Sequence, residues 1–379
     1  MTLGFTVEKI KRVQCDPVLL ALLILLVGLG LAVLFSASYY YAGMKFDDPL
    51  SLLKRQAIIA AAGVVIAFIA TRLPVTVIKK GIPAFLIISL IFMILTFLPG
   101  TSLKSMGAKR WVNLFGFSFQ PSEVVKLSLI LYLAYIFSKK DERLHDLINS
   151  IFPPLLVVLI CTGLVYMQND FSTAFFIFFL ALAMFYIVKV RLIYFIFLLA
   201  AGIPLSVILL FTKEHRVKRL IAFIDPGVDP IGAGYQLKAA RSALIRGGLW
   251  GTGLGEGTKK LGGIPEVHSD FVFAVLGEEM GFIGVLFILG IFIAFAVRGY
   301  TIALKCKDKF KYYLAFGITT SILYQAFLNI AVVSGIVPAT GMPLPFFSAG
   351  GSSMITTLTM CGLLLNIARN NSVAEDQKA

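Results

Sequence analysis

Residues 264–290 read IPEVHSDFVFAVLGEEMGFIGVLFILG, a stretch that changes from polar to apolar within one helical turn. After Asp270 the run stays apolar for the length of a membrane span, except at Glu278 and Glu279. A helix needs about 20 apolar residues to cross a bilayer. The stretch therefore predicts a membrane-spanning helix that carries carboxylates at its start and inside it.

Apolar runs of similar length recur along the whole chain. Of its 379 residues, 58% are hydrophobic and 14% are charged, whereas about a quarter are charged in a typical soluble protein. Lipid requires backbone polar groups to be satisfied internally, and the runs lack the alternation of a barrel. The sequence therefore predicts an all-α polytopic membrane protein with about ten transmembrane helices. We place them at 17–40, 56–72, 82–98, 121–138, 151–167, 171–188, 192–211, 270–297, 313–334 and 352–368.

Lys and Arg residues are distributed unequally between the two sets of connecting segments. With the N-terminus inside, the cytoplasmic segments hold about three times as many as the short outer loops. We therefore expect both termini in the cytoplasm and a large extracytoplasmic loop, residues 212–269, between the seventh and eighth helices. Residues 1–369 are expected to form one integral membrane domain, and residues 370–379 a disordered cytoplasmic tail.

Cysteine spacing and charge argue against several classes of function. The four cysteines form no CxxC or CxxxC pair, so neither a zinc site nor a disulfide framework is indicated. The net charge of +14 accompanies no nucleic-acid-binding motif. It lies between apolar runs, where lipid headgroups or a pyrophosphate are the favoured partners. The glycines match no nucleotide-binding pattern, so we expect neither a nucleotide nor a nucleic acid partner.

The loop at 212–269 is basic although it is predicted to lie outside. It carries nine Lys or Arg residues against five acids, so it is either a solvated surface or an anion-binding surface. Within it, GYQLKAARSALIRGG (234–248) places apolar residues on one helical face and Lys238 and Arg241 on another, which predicts an interfacial amphipathic helix. The glycines of the next stretch, GGLWGTGLGEGTKKLGG (247–263), allow close approach of the backbone to a ligand.

The segment GAKRWVNLFGFSFQPSEVVK carries polar residues beside and inside the fourth apolar run. Lys109 and Arg110 precede Trp111, an arrangement typical of an interfacial anchor, and equally suited to a substrate contact. Glu123 and Lys126 are three residues apart and share a helical face. Because unpaired charges are costly in the membrane, we expect these two to pair beside a polar cavity.

The last outer segment, SGIVPATGMPLPFFSAGGSS (334–353), contains three prolines and a glycine pair that oppose regular helix. Irregular backbone at membrane depth is tolerated where it is buried in protein or lines a watery cavity. The end of the segment, with Ser348, Gly351 and Ser352, is either a phosphate seat at a helix N-terminus or a helix cap.

Asp270 stands where the basic loop enters the eighth apolar run. A carboxylate at a helix N-terminus is often only a favourable partner of the helix dipole. Here Glu266 and His268 lie close in sequence, which suits a general base with neighbours that tune its pKa, or part of a cation site. Glu278 and Glu279 lie deeper and are expected to hold helices around the cavity, with Lys126 as a candidate partner.

Five long stretches of the chain resemble the shape, elongation, division and sporulation (SEDS) family of bacterial cell-wall polymerases, the FtsW/RodA/SpoVE group. They are FSASYYYA, LLKRQ, GAKRWVNLFGFSFQPSEVVKL, GYQLKAARSALIRGGLWGTGLGEGTKKLGGIPEVHSDFVFAVLGEEMGFIG and PATGMPLPFFSAGGSS. They extend from the first apolar run to the last. RVKRLIAFIDPGVDPIGAGYQ (216–236) is more similar to the division and sporulation branch, FtsW and SpoVE.

The resemblance implies a peptidoglycan glycosyltransferase with an active site outside the bacterial cytoplasmic membrane, in cell division or in cell-shape elongation. It would polymerise lipid II into glycan strands, with inversion, and release undecaprenyl pyrophosphate. The catalytic aspartate of the family falls on Asp270. A divalent cation, Mg²⁺ or Mn²⁺, is implied, with Asp270 as a candidate ligand. The implied partners are lipid II, the nascent glycan, membrane lipids and a class B penicillin-binding protein, a transpeptidase.

Candidate substrate-binding residues come from the outer loops and the span entrances. They are Lys109, Arg110, Trp111, Gln120, Ser122, Arg216, Gln236, Lys238, Arg241, Lys260, Glu266, His268, Ser348, Gly351 and Ser352. Two other functions compete with the enzyme: a transporter that flips lipid II, and a division scaffold without chemistry. A flippase needs polar groups across the whole membrane, whereas the charges here concentrate in the outer half. This distribution favours the enzyme.

Overall fold

The chain folds into a bundle of twelve α-helices and one small sheet in the part that the structure describes. This computed structural model describes residues 16–98, 102–105, 108–114, 117–143, 146–229, 232–261 and 267–376. The helices are α1 (Pro17–Phe46), α2 (Ser51–Arg72), α3 (Val75–Leu95), α4 (Pro121–Lys139), α5 (Phe152–Met167), α6 (Phe171–Ile187), α7 (Leu192–Phe211), α8 (Glu214–Ile224), α9 (Ala233–Gly247), α10 (Val272–Leu304), α11 (Lys309–Val333) and α12 (Gly351–Asp376). The strands are β1 (Ser102–Ser105), β2 (Ala108–Leu114) and β3 (Phe117–Phe119).

The prediction of a polytopic helical membrane protein is confirmed. Among the described residues, nine helices are long and apolar enough to cross a membrane, and α6 is a shorter apolar helix. These ten helices, α1 to α7 and α10 to α12, coincide with the ten predicted spans. The most buried of them are α4, α11 and α12, which form the centre of the bundle, whereas α2 and α7 lie mainly on its outside.

A small sheet accompanies the helices of the confirmed fold. The segment after α3 forms a three-stranded antiparallel sheet in the order β1-β2-β3. Leu103 pairs with Trp111, and Val112 pairs with Phe119. Alternating residues in this segment suit a half-buried strand, so the sheet forms where the sequence analysis saw only a connecting loop.

The long loop at 212–269 also contains regular structure, the two helices α8 and α9. The apolar face of α9 does not lie on lipid as predicted, because Leu237, Ala240 and Ala243 are buried and the helix packs against α10. The contact is close: a Cβ on Gly247 would stand 2.0 Å from the carbonyl oxygen of Gly277. The helix is therefore part of the protein core rather than an interfacial element.

Helix α10 is broken at Gly281, whose backbone has φ 65° and ψ −168°. The glycine-rich stretch after α9 fills the break, because Thr252 N donates to Glu278 O at 3.0 Å and Phe282 N donates to Gly248 O at 2.9 Å. A Cβ on Gly251 would lie 2.1 Å from the carbonyl oxygen of Glu279. Glycine at these positions allows backbone-to-backbone contact across the break. The break divides α10 into a short half-helix before Gly281 and a long span after it.

At the other end of the chain, α12 extends to Asp376. The predicted start of a disordered tail, Asn370, thus lies inside the described helix, where its side chain donates to the carbonyl oxygen of Asn366 at 2.9 Å. Residues 377–379 of the predicted tail lie outside the described residues.

Candidate active site

Asp270 lies at the entrance of α10 in a backbone held by two other segments. Its carbonyl oxygen accepts a hydrogen bond from Asn329 Nδ2 at 2.8 Å. Two residues earlier, the carbonyl oxygen of His268 accepts from Ala349 N at 2.9 Å. The Asp270 side chain is partly exposed, so a substrate can reach its carboxylate while its backbone is fixed by α11 and by the segment before α12.

A cation from α8 lies close to this carboxylate. Gly341 lies between the two groups, since a Cβ there would stand 3.3 Å from Asp270 Oδ2 and 4.0 Å from Arg219 Nη1. Burial lowers the pKa of Arg219, as does Arg110, whereas the carboxylates of Asp270 and Asp170 oppose this. An arginine side chain stays protonated in proteins even when its pKa is lowered. Arg219 therefore places a fixed positive charge beside Asp270.

A groove of about 530 Å³ opens between α6, α7, α8 and the segment after α11. Its apolar wall includes Phe171, Phe175 and Phe179, which are spaced by four residues and therefore share one face of α6. Its polar wall lies at one end and includes Arg110, Arg216 and Arg219. The other lining residues are Asn169, Ser172, Ile203, Ser206, Val207, Leu210, His215, Leu220, Leu328, Val337, Pro338, Ala339 and Thr340. A groove with this division suits a ligand with a long apolar chain and an anionic head.

Arg216 is the most deeply buried cation of the groove, with 6% of its surface exposed. Its guanidinium lies over the rings of Tyr166 and Phe171, at 4.6 and 5.2 Å from their centroids. Nη1 donates to Leu209 O at 2.8 Å, but Nε and Nη2 are buried and have no hydrogen-bond partner among the described residues. Because a buried unsatisfied charge is costly, these two donors indicate a site for an anionic ligand.

Arg110 connects the groove to the start of α6. Its guanidinium lies 3.8 Å from Asp170 Oδ1 and donates to the carbonyl oxygen of Asn169. Gln120 donates to the other carboxylate oxygen of Asp170 at 3.2 Å. The predicted residues Arg110 and Gln120 therefore meet at one point, and the shared partner Asp170 is also the N-cap of α6.

His215 is a neutral member of this cationic cluster. Burial lowers its pKa, and the charges of Arg216, Arg219 and Arg110 lower it further. Because the unperturbed pKa of histidine is about 6.5, the imidazole is neutral at pH 7. It therefore offers the groove a hydrogen-bonding group that adds no charge.

The predicted pair of Glu123 and Lys126 forms deep in the bundle, with 2.7 Å between Oε2 and Nζ. Lys126 Nζ also donates to Gln325 Oε1 at 2.8 Å and stands over the ring of Phe176. Gln325 in turn donates to the carbonyl oxygen of Pro343 at 2.9 Å. The pair thus supports the irregular segment that flanks Asp270, and it lies apart from Glu278 and Glu279.

Lys260, not Lys126, is the partner of Glu279, with Nζ and Oε1 2.7 Å apart. Both side chains are buried, Lys260 with 8% exposed, and Ser36 of α1 donates to Glu279 Oε1 at 2.6 Å. Glu278 accepts from the backbone amides of Thr258 and Lys259 at 3.0 and 3.2 Å. Lys260 is therefore a structural cation rather than the substrate contact predicted, because burial and pairing occupy its charge.

The serines predicted as a phosphate seat before α12 are used by the protein itself. Ser348 Oγ accepts from Leu344 N at 2.8 Å, and Ser352 Oγ accepts from Gln120 N at 2.9 Å. Gly351 lies against α2, where a Cβ would be 3.1 Å from Ile59 Cδ1. These contacts fix the segment to its neighbours and leave the cations of the groove as the better anion site.

The remaining candidates surround the groove or lie away from it. Arg241 donates to Gly335 O at 2.9 Å, and Lys238 is exposed on α9. Gln236 and Trp111 are half-buried, Ser122 is buried, and Lys109 lies in β2. His268 is buried against the ring of Tyr41, with 4.6 Å between centroids. Glu266 lies outside the described residues.

The residues of the site that sequence reasoning missed include Arg219, His215, Asn169 and Asn329. The basic character of the 212–269 loop was visible, but nothing in it distinguished Arg219 from the exposed Lys218. Asn329 could have been found as a polar residue inside an apolar run, since such residues are costly unless they have a role.

The side chains of the described residues indicate how the expected divalent cation could be bound. The described residues contain no group of three or more His, Cys, Asp or Glu side chains that could hold a metal ion. Mg²⁺ is commonly bound by one or two carboxylates together with substrate phosphates. Asp270, which is partly exposed and lies close to Arg219 of the groove, fits that arrangement as one ligand.

Known proteins resemble this chain along nearly its whole length. A probable peptidoglycan glycosyltransferase FtsW from Geobacter sp. (strain M18) is 38% identical over 360 residues, 94% of this chain and 98% of that protein. Stage V sporulation protein E from Bacillus subtilis (strain 168) is 34% identical over 359 residues, 95% of this chain and 98% of that protein. FtsW and stage V sporulation protein E both belong to the division and sporulation branch, which residues 216–236 predict.

A solved structure extends the similarity to the fold. It describes the structural coordination of polymerization and crosslinking by a peptidoglycan synthase complex, and one of its chains matches with a TM-score of 0.77 and 28% identity. The match covers 94% of this chain and 98% of that chain. The sequence profile of the FtsW/RodA/SpoVE cell cycle proteins matches residues 17–373. The chain therefore belongs to the FtsW/RodA/SpoVE family.

Proposed function

We propose that this chain is a peptidoglycan glycosyltransferase that polymerises lipid II at the outer face of the bacterial cytoplasmic membrane. The observation that carries the proposal is the groove, in which an apolar wall ends at Arg110, Arg216 and Arg219, close to Asp270. A lipid-linked pyrophosphate has the same division into an apolar chain and an anionic head. The matched relatives named for this activity support it.

Asp270 acts on the acceptor sugar in this proposal. The 4-hydroxyl of the acceptor is a weak nucleophile, and a positioned carboxylate that takes its proton makes it stronger. The oxygen attacks the anomeric carbon of the donor from the face opposite to the pyrophosphate, so the configuration inverts. Arg219 supplies a positive charge close to this carboxylate, across Gly341.

The arginines act on the leaving group. Charge develops on the pyrophosphate as the glycosidic bond breaks, and fixed cations in a site of low dielectric stabilise that charge strongly. Arg216 suits this role because two of its buried donors lack partners among the described residues. A bound Mg²⁺ would add further charge neutralisation at the pyrophosphate, with Asp270 and phosphate oxygens as ligands.

The proposal also states on which side of the membrane Asp270 lies and which protein binds the chain. Lys and Arg counts favour a cytoplasmic N-terminus and C-terminus, which puts Asp270 and the loop at 212–269 outside. The matched peptidoglycan synthase complex coordinates polymerization with crosslinking, so we infer a class B penicillin-binding protein as the partner of this chain. In this arrangement the transpeptidase receives the glycan strand as it leaves the acceptor site.

The test is reconstitution of the chain in liposomes with labelled lipid II, Mg²⁺ and the cognate transpeptidase. Glycan polymer that lengthens with time is expected, together with release of undecaprenyl pyrophosphate. Movement of lipid II across the bilayer with no polymer would contradict the proposal and favour a transporter. Absence of both activities, in a chain that binds its partner, would favour a scaffold.

Replacement of Arg216 by methionine is expected to lower the polymerisation rate by about 10²–10³-fold, the range seen when one stabilising donor is removed from an active site. Methionine keeps the apolar contacts with Tyr166 and Phe171 while it removes the charge. The control is Lys218→Met on the same helix, an exposed residue paired with Glu214 at 2.8 Å. Equal rates for the two variants in the liposome assay would rule out the assigned role of Arg216.

Asn329 is assigned as a positioning residue, because its Nδ2 bridges the carbonyl oxygens of Asp270 and Met342, each at 2.8 Å. Asn329→Ala is expected to lower kcat by up to about 10²-fold, as small misplacements of reacting groups do, with KM for lipid II little changed. Asn366 is the matched control, since its buried amide bridges the carbonyl oxygens of Ala70, Thr71 and Leu73 far from the groove. Comparable loss of kcat in Asn366→Ala would mean that Asn329 acts only through stability.

A further inference from the structure

Two polar clusters join α1 to α10 at a separation that matches a bilayer. At one end Asp16 pairs with Arg298, with 2.6 Å between Oδ2 and Nη2. At the other end Ser36 contacts Glu279 and Lys260. About 20 residues of α1 separate the clusters, or about 30 Å at the rise of an α-helix. The hydrocarbon core of a bilayer has the same thickness, about 30 Å.

The surface between these clusters is apolar on both helices. On α1 the exposed side chains include Ile24 and Phe35, and on α10 they include Phe287, Ile293 and Val297. Beyond Ser36, by contrast, α1 exposes Tyr39 and Tyr40, the residue type enriched where membrane meets water. The Ser36 cluster therefore marks the boundary of the hydrocarbon at the Asp270 end of the molecule.

The glycine-rich loop after α9 is attached to α10 at this boundary. Ile283 N donates to Leu249 O at 3.2 Å, and Gly253 N donates to Glu279 O at 3.1 Å. Four large apolar side chains of this region point away from the protein: Ile245, Leu249, Trp250 and Leu254. Trp250 has 80% of its surface exposed. A contiguous apolar patch of this kind marks a membrane or protein contact.

We propose that residues 245–254 form a membrane-surface anchor, in which these four side chains enter the lipid between headgroups and acyl chains. Lipid is the favoured occupant because the patch continues the apolar surface of α10, where Phe282 and Ile283 are exposed. The exposed side chain of Arg246 and the half-buried side chain of Lys259 lie in or beside the same loop, and their charges suit the phosphates of lipid headgroups. The anchor is independent of the proposed catalytic function.

The anchor has a consequence for the height of the candidate active site. The loop is fixed to α10 by the buried pair of Lys260 and Glu279, so lipid contact by the loop also fixes α10. The half-helix from Val272 to Glu279 is about 10 Å long, which exceeds the headgroup layer of about 5–8 Å on each side. The anchor thereby fixes the height of this half-helix, and of Asp270 at its start, relative to the lipid phosphates that carry the sugar.

The experiment uses the two tryptophans of the chain. In Trp111→Phe, Trp250 is the sole tryptophan, and its fluorescence is measured in liposomes whose phospholipids carry bromine at defined depths along the acyl chain. Stronger quenching by bromines near the headgroups than by bromines near the chain ends is the expected result. Trp250→Phe leaves Trp111 alone and separates the two signals.

Two outcomes would overturn the proposal. Trp250 emission that is insensitive to all brominated lipids but fully quenched by iodide in the water would place the patch in solvent, as a protein-docking surface would be. Strongest quenching by bromines near the chain ends would place the loop deep in the bilayer. Both variants are compared with the wild-type chain for elution from a sizing column, so that a misfolded protein is not scored.

Discussion

Replacement of Asp270 by asparagine is expected to lower the rate of polymer formation from lipid II by about 10²–10⁴-fold, the contribution of a positioned general base. Asparagine has nearly the same shape but cannot take the proton of the acceptor hydroxyl. The backbone carbonyl of residue 270, which accepts from Asn329, is retained, so the fold of the segment should be unchanged. The measurement is the initial rate in liposomes with saturating lipid II.

The control for this prediction is Asp48→Asn. Asp48 also lies between helices and has a cation close by, Lys54 at 2.9 Å, but it is exposed and is not part of the groove. We expect Asp48→Asn to polymerise at close to the wild-type rate. If Asp270→Asn retained more than about a tenth of the wild-type rate, the loss would fall below the effect of a general base, and the role of Asp270 would have to be abandoned.

Breaking the buried pair of Glu279 and Lys260 is expected to destabilise the protein by about 3–5 kcal/mol, because either single replacement leaves an uncompensated buried charge. Glu279→Leu leaves the ammonium of Lys260 with only Ser36 and the carbonyl oxygen of Gly255 as partners. Lys260→Met leaves the carboxylate with Ser36 as its side-chain hydrogen-bond partner among the described residues. The change is measured as a shift of the unfolding transition in detergent.

The double variant Glu279→Leu/Lys260→Met tests whether the two side chains stabilise the protein as a pair. A buried ion pair replaced by apolar residues of similar volume is often neutral or stabilising, so the double variant should recover most of the stability lost in either single variant. The exposed pair of Lys218 and Glu214 serves as the comparison and should give no measurable change. Additive losses in the double variant would mean that the two side chains act separately, against the geometry described here.

The sequence predicts the helices of this protein well because a membrane imposes a local rule. A span must be apolar for about 20 residues, and the ten runs that satisfy this rule coincide with ten described helices. The pairing of Glu123 with Lys126 was predictable for a similar reason, since three residues along one helix suffice to bring the two side chains together. Asp270 at the entrance of a span was visible from its neighbours in sequence.

The partners that come from distant segments were not predictable in the same way. Glu279 meets Lys260 only because a glycine-rich loop returns across a broken helix, and Ser36 joins them from α1. Lys126, the partner proposed from charge alone, is instead occupied by Glu123 and Gln325. Arg219 and Asn329 reach Asp270 through α8 and α11. No spacing rule connects such residues, because their proximity depends on how the helices pack.

The most direct test of the account is the position of undecaprenyl pyrophosphate in a structure of this chain with the lipid bound. The account predicts that the pyrophosphate lies within ion-pair distance, about 4 Å, of the Arg216 guanidinium. It also predicts that the prenyl chain follows Phe171, Phe175 and Phe179 along α6. A pyrophosphate bound at the serines before α12, or on the exposed face of α9, with the groove empty, would contradict it.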